Sequence, residues 1–97
     1  HALIDAFRTG MQKVDGLPVE TLAVPSNGEY LQATRLSDHS PFWDAGFAAL
    51  MITDTSFLRN PHYHTPGDTL ETLDMAFLHR VAEGCHQAVR HVLSEGL

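Results

Sequence analysis

The chain has 97 residues, of which 43% are hydrophobic and 19% charged, and its formal net charge is −6 at pH 7. This composition is typical of a globular domain or part of one, and it excludes a disordered tail or a charged linker. The six basic residues are scattered, so we expect no nucleic-acid partner. No apolar run approaches the roughly 20 residues of a membrane-spanning helix, and no signal peptide is visible. A single cysteine, Cys85, excludes an internal disulfide and a multi-cysteine zinc cage.

The first quarter of the chain predicts one helix followed by one strand. Apolar side chains recur at helical spacing over residues 2–14, which indicates an amphipathic helix. A glycine and a proline within residues 15–18 are expected to end it. Residues 19–24 alternate in polarity as a short strand does, and residues 25–28, Pro-Ser-Asn-Gly, predict a turn.

The middle of the chain predicts a short helix and a second strand. Ser40 is a candidate N-cap with Pro41 at the first helical position, and Gly46 is expected to end this helix. Residues 47–52, Phe-Ala-Ala-Leu-Met-Ile, are apolar throughout. Such a run is typical of a strand that is buried on both faces of an α/β sheet.

The last part predicts an irregular loop over residues 54–74 and then one long helix. Apolar residues recur at spacings of three and four from Met75 onward. Asp74 is the candidate N-cap and Gly96 the candidate stop. Cys85 falls on the apolar stripe and is expected in the core. The helix also carries three histidines among charged neighbours, which we interpret as solvated rather than metal-binding: His79, His86 and His91.

This order of elements indicates an α/β fold within a single partial domain, residues 1–97. Two strands cannot cover the apolar faces of two to three helices, so the sheet is expected to be incomplete in this chain. Either a preceding segment supplies the other strands, or identical chains pair as a homodimer through the exposed sheet edge.

The richest chemistry lies in the loop, where residues 59–69 bring together His62, Tyr63, His64 and Asp68. A loop after a buried strand is where open α/β sheets place their sites. Neutral imidazole is a good zinc ligand, and a nearby carboxylate often orients it. The alternative is that His62 is solvated and that His64 only forms a hydrogen bond across the loop.

Two separated motifs carry a resemblance to a known family. They are Ser-Asp-His-Ser-Pro-Phe-Trp at 37–43, and Tyr-His-Thr-Pro-Gly-Asp-Thr at 63–69 followed by Leu73-Asp74. Over roughly residues 35–95 the chain resembles the C-terminal portion of the co-catalytic zinc aminopeptidases, the superfamily that includes bacterial leucyl aminopeptidases, aminopeptidase Y and glutaminyl cyclases. The resemblance implies a three-layer zinc-exopeptidase fold, one or two zinc ions in the complete domain, and a peptide substrate.

The resemblance also implies roles for individual residues. His64 matches the last metal-ligand histidine of the family. Tyr63 matches a tyrosine that donates a hydrogen bond to the developing oxyanion in some members, although a packed aromatic that covers the loop is the alternative. Asp68 is expected to fix the loop or orient a ligand. Asp38 and His39 are expected to be structural residues near the wall of the active site.

Ser37 stands where the cyclases of the superfamily have an aspartate, which favours a peptidase over a cyclase. Residues near Phe57 and Leu58 are predicted to line the pocket for the substrate side chain.

The chain also departs from the family pattern. Before residue 35 it has no His-x-Asp segment, no Glu-Glu pair with the general base, and no further aspartate ligand. One histidine does not hold zinc tightly. The sequence therefore predicts the C-terminal segment of a zinc-dependent aminopeptidase, inactive alone. The alternative is a non-catalytic relative that self-associates or binds another protein.

Overall fold

A computed structural model describes residues 2–54 and 61–97 of the chain. Three α-helices are present in these ranges: α1 (Ala2–Met11), α2 (His39–Asp44) and α3 (Met75–Glu95). Three short 3-10 turns accompany them, at Pro25–Gly28, Gln32–Arg35 and Leu70–Thr72. None of the described helices is long and apolar enough to cross a membrane.

The predicted α/β fold is wrong for the described part of the chain, which contains helices and turns but no strand. Residues 19–24 and 47–52, the two predicted strands, lack regular secondary structure. Alternation and apolar runs indicate only an extended chain, whereas a strand also needs a neighbouring strand with which to exchange backbone hydrogen bonds. Nor are these segments buried, since Leu22 is 67% exposed and Phe47 is 66% exposed. The predicted three-layer arrangement and its sheet edge are therefore not seen in residues 2–54 and 61–97.

The core of the molecule is the contact between α1 and α3, in which glycine and alanine let two helix backbones approach closely. Ala88 on α3 is fully buried, and Gly10 on α1 packs directly against it. A Cβ atom added at Gly10 would lie 2.4 Å from the Ala88 Cα atom. One turn earlier on α3, Gly84 leaves room for Leu17, whose Cδ2 atom would lie 2.8 Å from an added Cβ. Glycine is thus required at Gly10, where the neighbouring atoms are backbone, whereas at Gly84 the neighbours are ends of flexible side chains.

The ends of α3 agree with the sequence. The Asp74 carboxylate accepts a hydrogen bond from the Phe77 backbone N–H at 3.0 Å, which confirms the predicted N-cap. Gly96, at φ 75°, follows the helix and donates its N–H to the Val92 carbonyl oxygen. Cys85 is half-buried against the core, as its position on the apolar stripe predicted.

The helix α2 is fixed by a chain of hydrogen bonds and ring contacts. His39 is buried, and its Nε2 atom forms a hydrogen bond with the Thr34 carbonyl oxygen. The rings of His39 and Trp43 are in a T-shaped arrangement, with their centroids 4.5 Å apart. The indole Nε1 of Trp43 donates to the Ala49 carbonyl oxygen at 2.8 Å. Trp43, near the end of α2, therefore ties the helix to the apolar segment that follows it.

The predicted Ser40 cap is wrong. The α2 helix begins at His39, with Asp38 preceding it, and no side chain caps the first turn. The Ser40 hydroxyl instead donates to the Ser37 carbonyl oxygen at 2.9 Å.

Candidate metal centre

The loop that carries His64 is organised by two consecutive tight turns. Thr65 closes the first one, because its backbone N–H and its hydroxyl both donate to the His62 carbonyl oxygen, at 2.9 and 2.6 Å. The Asp68 backbone N–H closes the second by donating to the Thr65 carbonyl oxygen at 3.0 Å. These local hydrogen bonds define the backbone around His64.

His64 has a backbone conformation that is uncommon for residues other than glycine. Its φ angle is 56°, in the left-handed region, which costs a residue with a Cβ atom roughly 1–2 kcal/mol. The residue is exposed. Residues kept in such conformations are concentrated at functional sites, where the surrounding structure holds them.

Tyr63 and His64 form a stacked pair, with ring centroids 3.8 Å apart and an angle of 20° between the planes. Tyr63 is 37% exposed. The phenol and the imidazole therefore lie face to face, and both residues are accessible to solvent. This arrangement brings together the two residues that the sequence predicts for metal binding and oxyanion stabilisation.

His62 and Asp68 complete the described loop. An added Cβ atom at Gly67 would lie 3.0 Å from the His62 Nδ1 atom, so the His62 ring packs closely over that glycine. Asp68 is exposed, and its backbone N–H takes part in the second turn.

Glu71 is a charged group of this region that the sequence analysis did not single out. Hydrogen bonds from its own backbone N–H and from the Thr69 side chain lower the pKa of its carboxyl group. Glu71 lies in the 3-10 turn Leu70–Thr72. In the sequence, the sign of this arrangement is that Thr69 stands two residues before Glu71.

Asp38 and His39 belong to the start of α2 rather than to the loop. His39 is 7% exposed, and its Nδ1 atom is buried without a hydrogen-bond partner in the described structure. Its contacts are with Thr34 and Trp43, which lie in the same part of the chain. Asp38 is exposed.

The donor set of the described residues does not by itself fit a zinc ion. Nowhere in residues 2–54 and 61–97 do three or more histidine, cysteine, aspartate or glutamate side chains converge in a way that could hold a metal. Structural zinc sites use four protein ligands and catalytic sites about three. His64 is the single candidate ligand that the sequence predicts here. Phe57 and Leu58, which the sequence places beside the substrate pocket, lie outside the described residues.

Comparison with known proteins defines the class to which the chain belongs. The model of Peptidase family M28 matches residues 9–89, most of the chain, and the chain is a member of that family. Peptidases of this family are generally zinc-dependent.

Among curated proteins the chain is similar to the uncharacterized protein YfbL of Escherichia coli strain K12. The two are 40% identical over 55 residues, which are 57% of this chain and 17% of the relative. The chain therefore matches only a small part of the relative's length. No solved structure matches the chain.

Proposed function

We propose that this chain is the C-terminal segment of a zinc-dependent aminopeptidase and that His64 is the metal ligand it contributes. The observation that carries the proposal is the exposed imidazole of His64, which the loop holds at φ 56° beside Tyr63. Membership of Peptidase family M28 supplies the reaction class, hydrolysis of peptide bonds. The substrate is a peptide whose N-terminal residue is removed.

Within this function Tyr63 acts as a hydrogen-bond donor. Its ring stacks on His64, so a carbonyl oxygen that approaches the ligand histidine also comes near the phenol. A hydrogen-bond donor such as a phenolic O–H aimed at a developing oxyanion stabilises the transition state by on the order of 3 kcal/mol. Ser37, in the motif that precedes α2, favours peptidase over cyclase chemistry.

The remaining metal ligands and the general base come from residues outside this chain. One imidazole does not hold zinc, because catalytic sites need about three protein ligands. The chain alone is therefore inactive, and it becomes part of an active enzyme when joined to the part of an M28 domain that bears those residues.

The test is a fusion of this chain to that ligand-bearing part, assayed for zinc-dependent release of N-terminal residues from peptides. His64→Asn is the informative variant, because asparagine tolerates the left-handed conformation better than alanine and so removes the imidazole with little backbone strain. His62→Asn is the matched control in the same loop. We expect activity in the parent and the control and its loss in His64→Asn.

Two results would overturn the proposal. One is a folded, zinc-loaded fusion without aminopeptidase activity. The other is conversion of an N-terminal glutaminyl peptide into its cyclic product instead of hydrolysis, which would assign the chain to the cyclase branch.

A further inference from the structure

Thr65 closes the turn that contains His64 with two hydrogen bonds to one acceptor. Its backbone N–H and its hydroxyl both donate to the His62 carbonyl oxygen, at 2.9 and 2.6 Å. A bond from a threonine hydroxyl to the carbonyl three residues earlier is one of the local patterns of this side chain. The carbonyl oxygen of Thr65 accepts the Asp68 backbone N–H at 3.0 Å. Thr65 therefore belongs to both turns of the loop and is fixed from either side.

His64 occupies the position of this turn that glycine normally takes. His62 is the first residue of the turn and Thr65 the last, so His64 is the third, and its φ angle is 56°. Tyr63, the second residue, does not have a positive φ. These signs are those of a type II turn, whose third position requires positive φ and favours glycine or asparagine. The turn therefore holds His64 against the backbone preference of a residue with a Cβ atom.

Two other turns show the same pair of bonds without such a residue. Thr34 donates its N–H and its hydroxyl to the Leu31 carbonyl oxygen, at 2.9 and 2.6 Å. Thr72 donates both to the Thr69 carbonyl oxygen, at 3.0 and 2.7 Å. Neither of these turns contains a residue with positive φ. The two threonines close ordinary turns, whereas the turn that Thr65 closes encloses a left-handed residue, and Thr72 is therefore a matched control for Thr65.

We propose that Thr65 is a positioning residue, whose hydroxyl holds His64 at positive φ and so sets the place of the imidazole beside Tyr63. The Cβ atom turns about the N–Cα bond as φ changes, so a return of His64 to a φ near −60° would rotate its side chain by about 120° relative to Tyr63. The stacked arrangement of the two rings, with centroids 3.8 Å apart, would then be lost. The importance of this positioning for catalysis rests on the proposed function, in which His64 is the metal ligand.

The hydroxyl bond is of the right size to decide between the two conformations of His64. One neutral hydrogen bond changes an equilibrium constant by about fivefold. The preference of a residue with a Cβ atom against the left-handed region is a factor of roughly five to thirty. Because the two effects are comparable, loss of the hydroxyl should lower the ratio of left-handed to relaxed His64 by about fivefold, while the backbone N–H of residue 65 still closes the turn.

The experiment is NMR spectroscopy of the chain without metal, as the parent and as the variants Thr65→Val, Thr65→Ser and Thr72→Val. Valine keeps the branched shape of threonine and lacks the hydroxyl, whereas serine keeps the hydroxyl. A strong NOE between the amide and α protons of His64 reports positive φ, and the shifts of its imidazole protons report the Tyr63 ring. We expect Thr65→Val to weaken this NOE and move the imidazole signals. Thr65→Ser should retain both features, and Thr72→Val should leave both unchanged.

Three results would overturn the proposal: His64 signals that stay unchanged in Thr65→Val, an equal change in Thr72→Val, or a serine variant that behaves as the valine variant does. In the fusion used to test the proposed function, Thr65→Val should lower kcat/KM by about fivefold, with Thr72→Val unchanged. An inactive parent fusion beside the expected NMR changes would refute the proposed function and uphold the positioning of His64 by Thr65, so the two failures are distinguishable.

Discussion

Replacing Gly10 by alanine should destabilise the protein even though alanine is the better helix former. In an open helix this change would stabilise by about 1 kcal/mol. Here the added Cβ atom would lie 2.4 Å from the Ala88 Cα atom, 2.8 Å from the Ala88 backbone nitrogen and 2.9 Å from the Gln87 carbonyl oxygen. All three atoms are backbone, so no rotamer change relieves the contact.

Relief of this contact requires that α1 and α3 move apart, because carbon atoms are at optimal separation near 3.5–4.0 Å. Overpacking of this kind costs about 1–3 kcal/mol, and a backbone clash belongs at the upper end. After the gain in helix propensity, we expect Gly10→Ala to lower the free energy of unfolding by about 2 kcal/mol.

Urea unfolding followed by far-UV circular dichroism, at one fixed protein concentration, measures this change. Addition of Ala88→Gly should not restore stability, because the atoms in contact belong to the backbone. A Gly10→Ala protein as stable as the parent would refute the close approach of the two helices. Rescue by Ala88→Gly would show instead that the Ala88 side chain is what the new methyl group meets.

Three further predictions concern local interactions. Asp74→Ala should cost about 1 kcal/mol of unfolding free energy through loss of the N-cap of α3, with Asp74→Asn nearly neutral; equal losses would refute the cap. Because hydrogen bonds lower the pKa of Glu71 in the folded protein, its contribution to stability is present above its unfolded pKa and is lost as pH falls through the folded pKa. An NMR titration that places the Glu71 pKa at or above its ordinary value would contradict this. Trp43→Phe removes the indole donor to Ala49 and should cost about 1 kcal/mol in urea unfolding; an unchanged midpoint would argue against that bond.

The helices were predictable from the sequence because their information is local. Helical spacing of apolar residues located α1 and α3, and the Asp74 cap and the Gly96 stop were correctly placed. The predicted first helix extended to residue 14, whereas α1 ends at Met11 and turns follow. The core contact between Gly10 and Ala88 was not predicted, since it depends on how two distant helices cross.

The strands were not predictable in the same way, because a strand exists only with a partner. Residues 47–52 are apolar throughout, and this pattern does not reveal whether another strand lies beside them. In the described structure that run contributes residues 48–50 to an open groove. Residues 47–52 are thus an apolar segment, as the sequence shows, but the strand predicted for them is wrong.

The roles of the candidate site residues stay predictions. Residue types in the loop indicated a histidine-based metal site, and the family resemblance singled out His64 and Tyr63. The left-handed φ of His64 could not be anticipated, because few residues other than glycine adopt it. The stacking of the Tyr63 and His64 rings was not predicted from the sequence either.

The central claim is that His64 is the zinc ligand that this chain contributes. The most direct test is a zinc titration of the isolated chain, observed through the imidazole NMR signals of its seven histidines and repeated with His64→Asn. We expect weak binding, far from the roughly 10–16 kcal/mol of a complete structural zinc site, with the His64 signals responding first and the response absent in the variant. Zinc binding that leaves the His64 signals unchanged, or that is undiminished in His64→Asn, would contradict the claim.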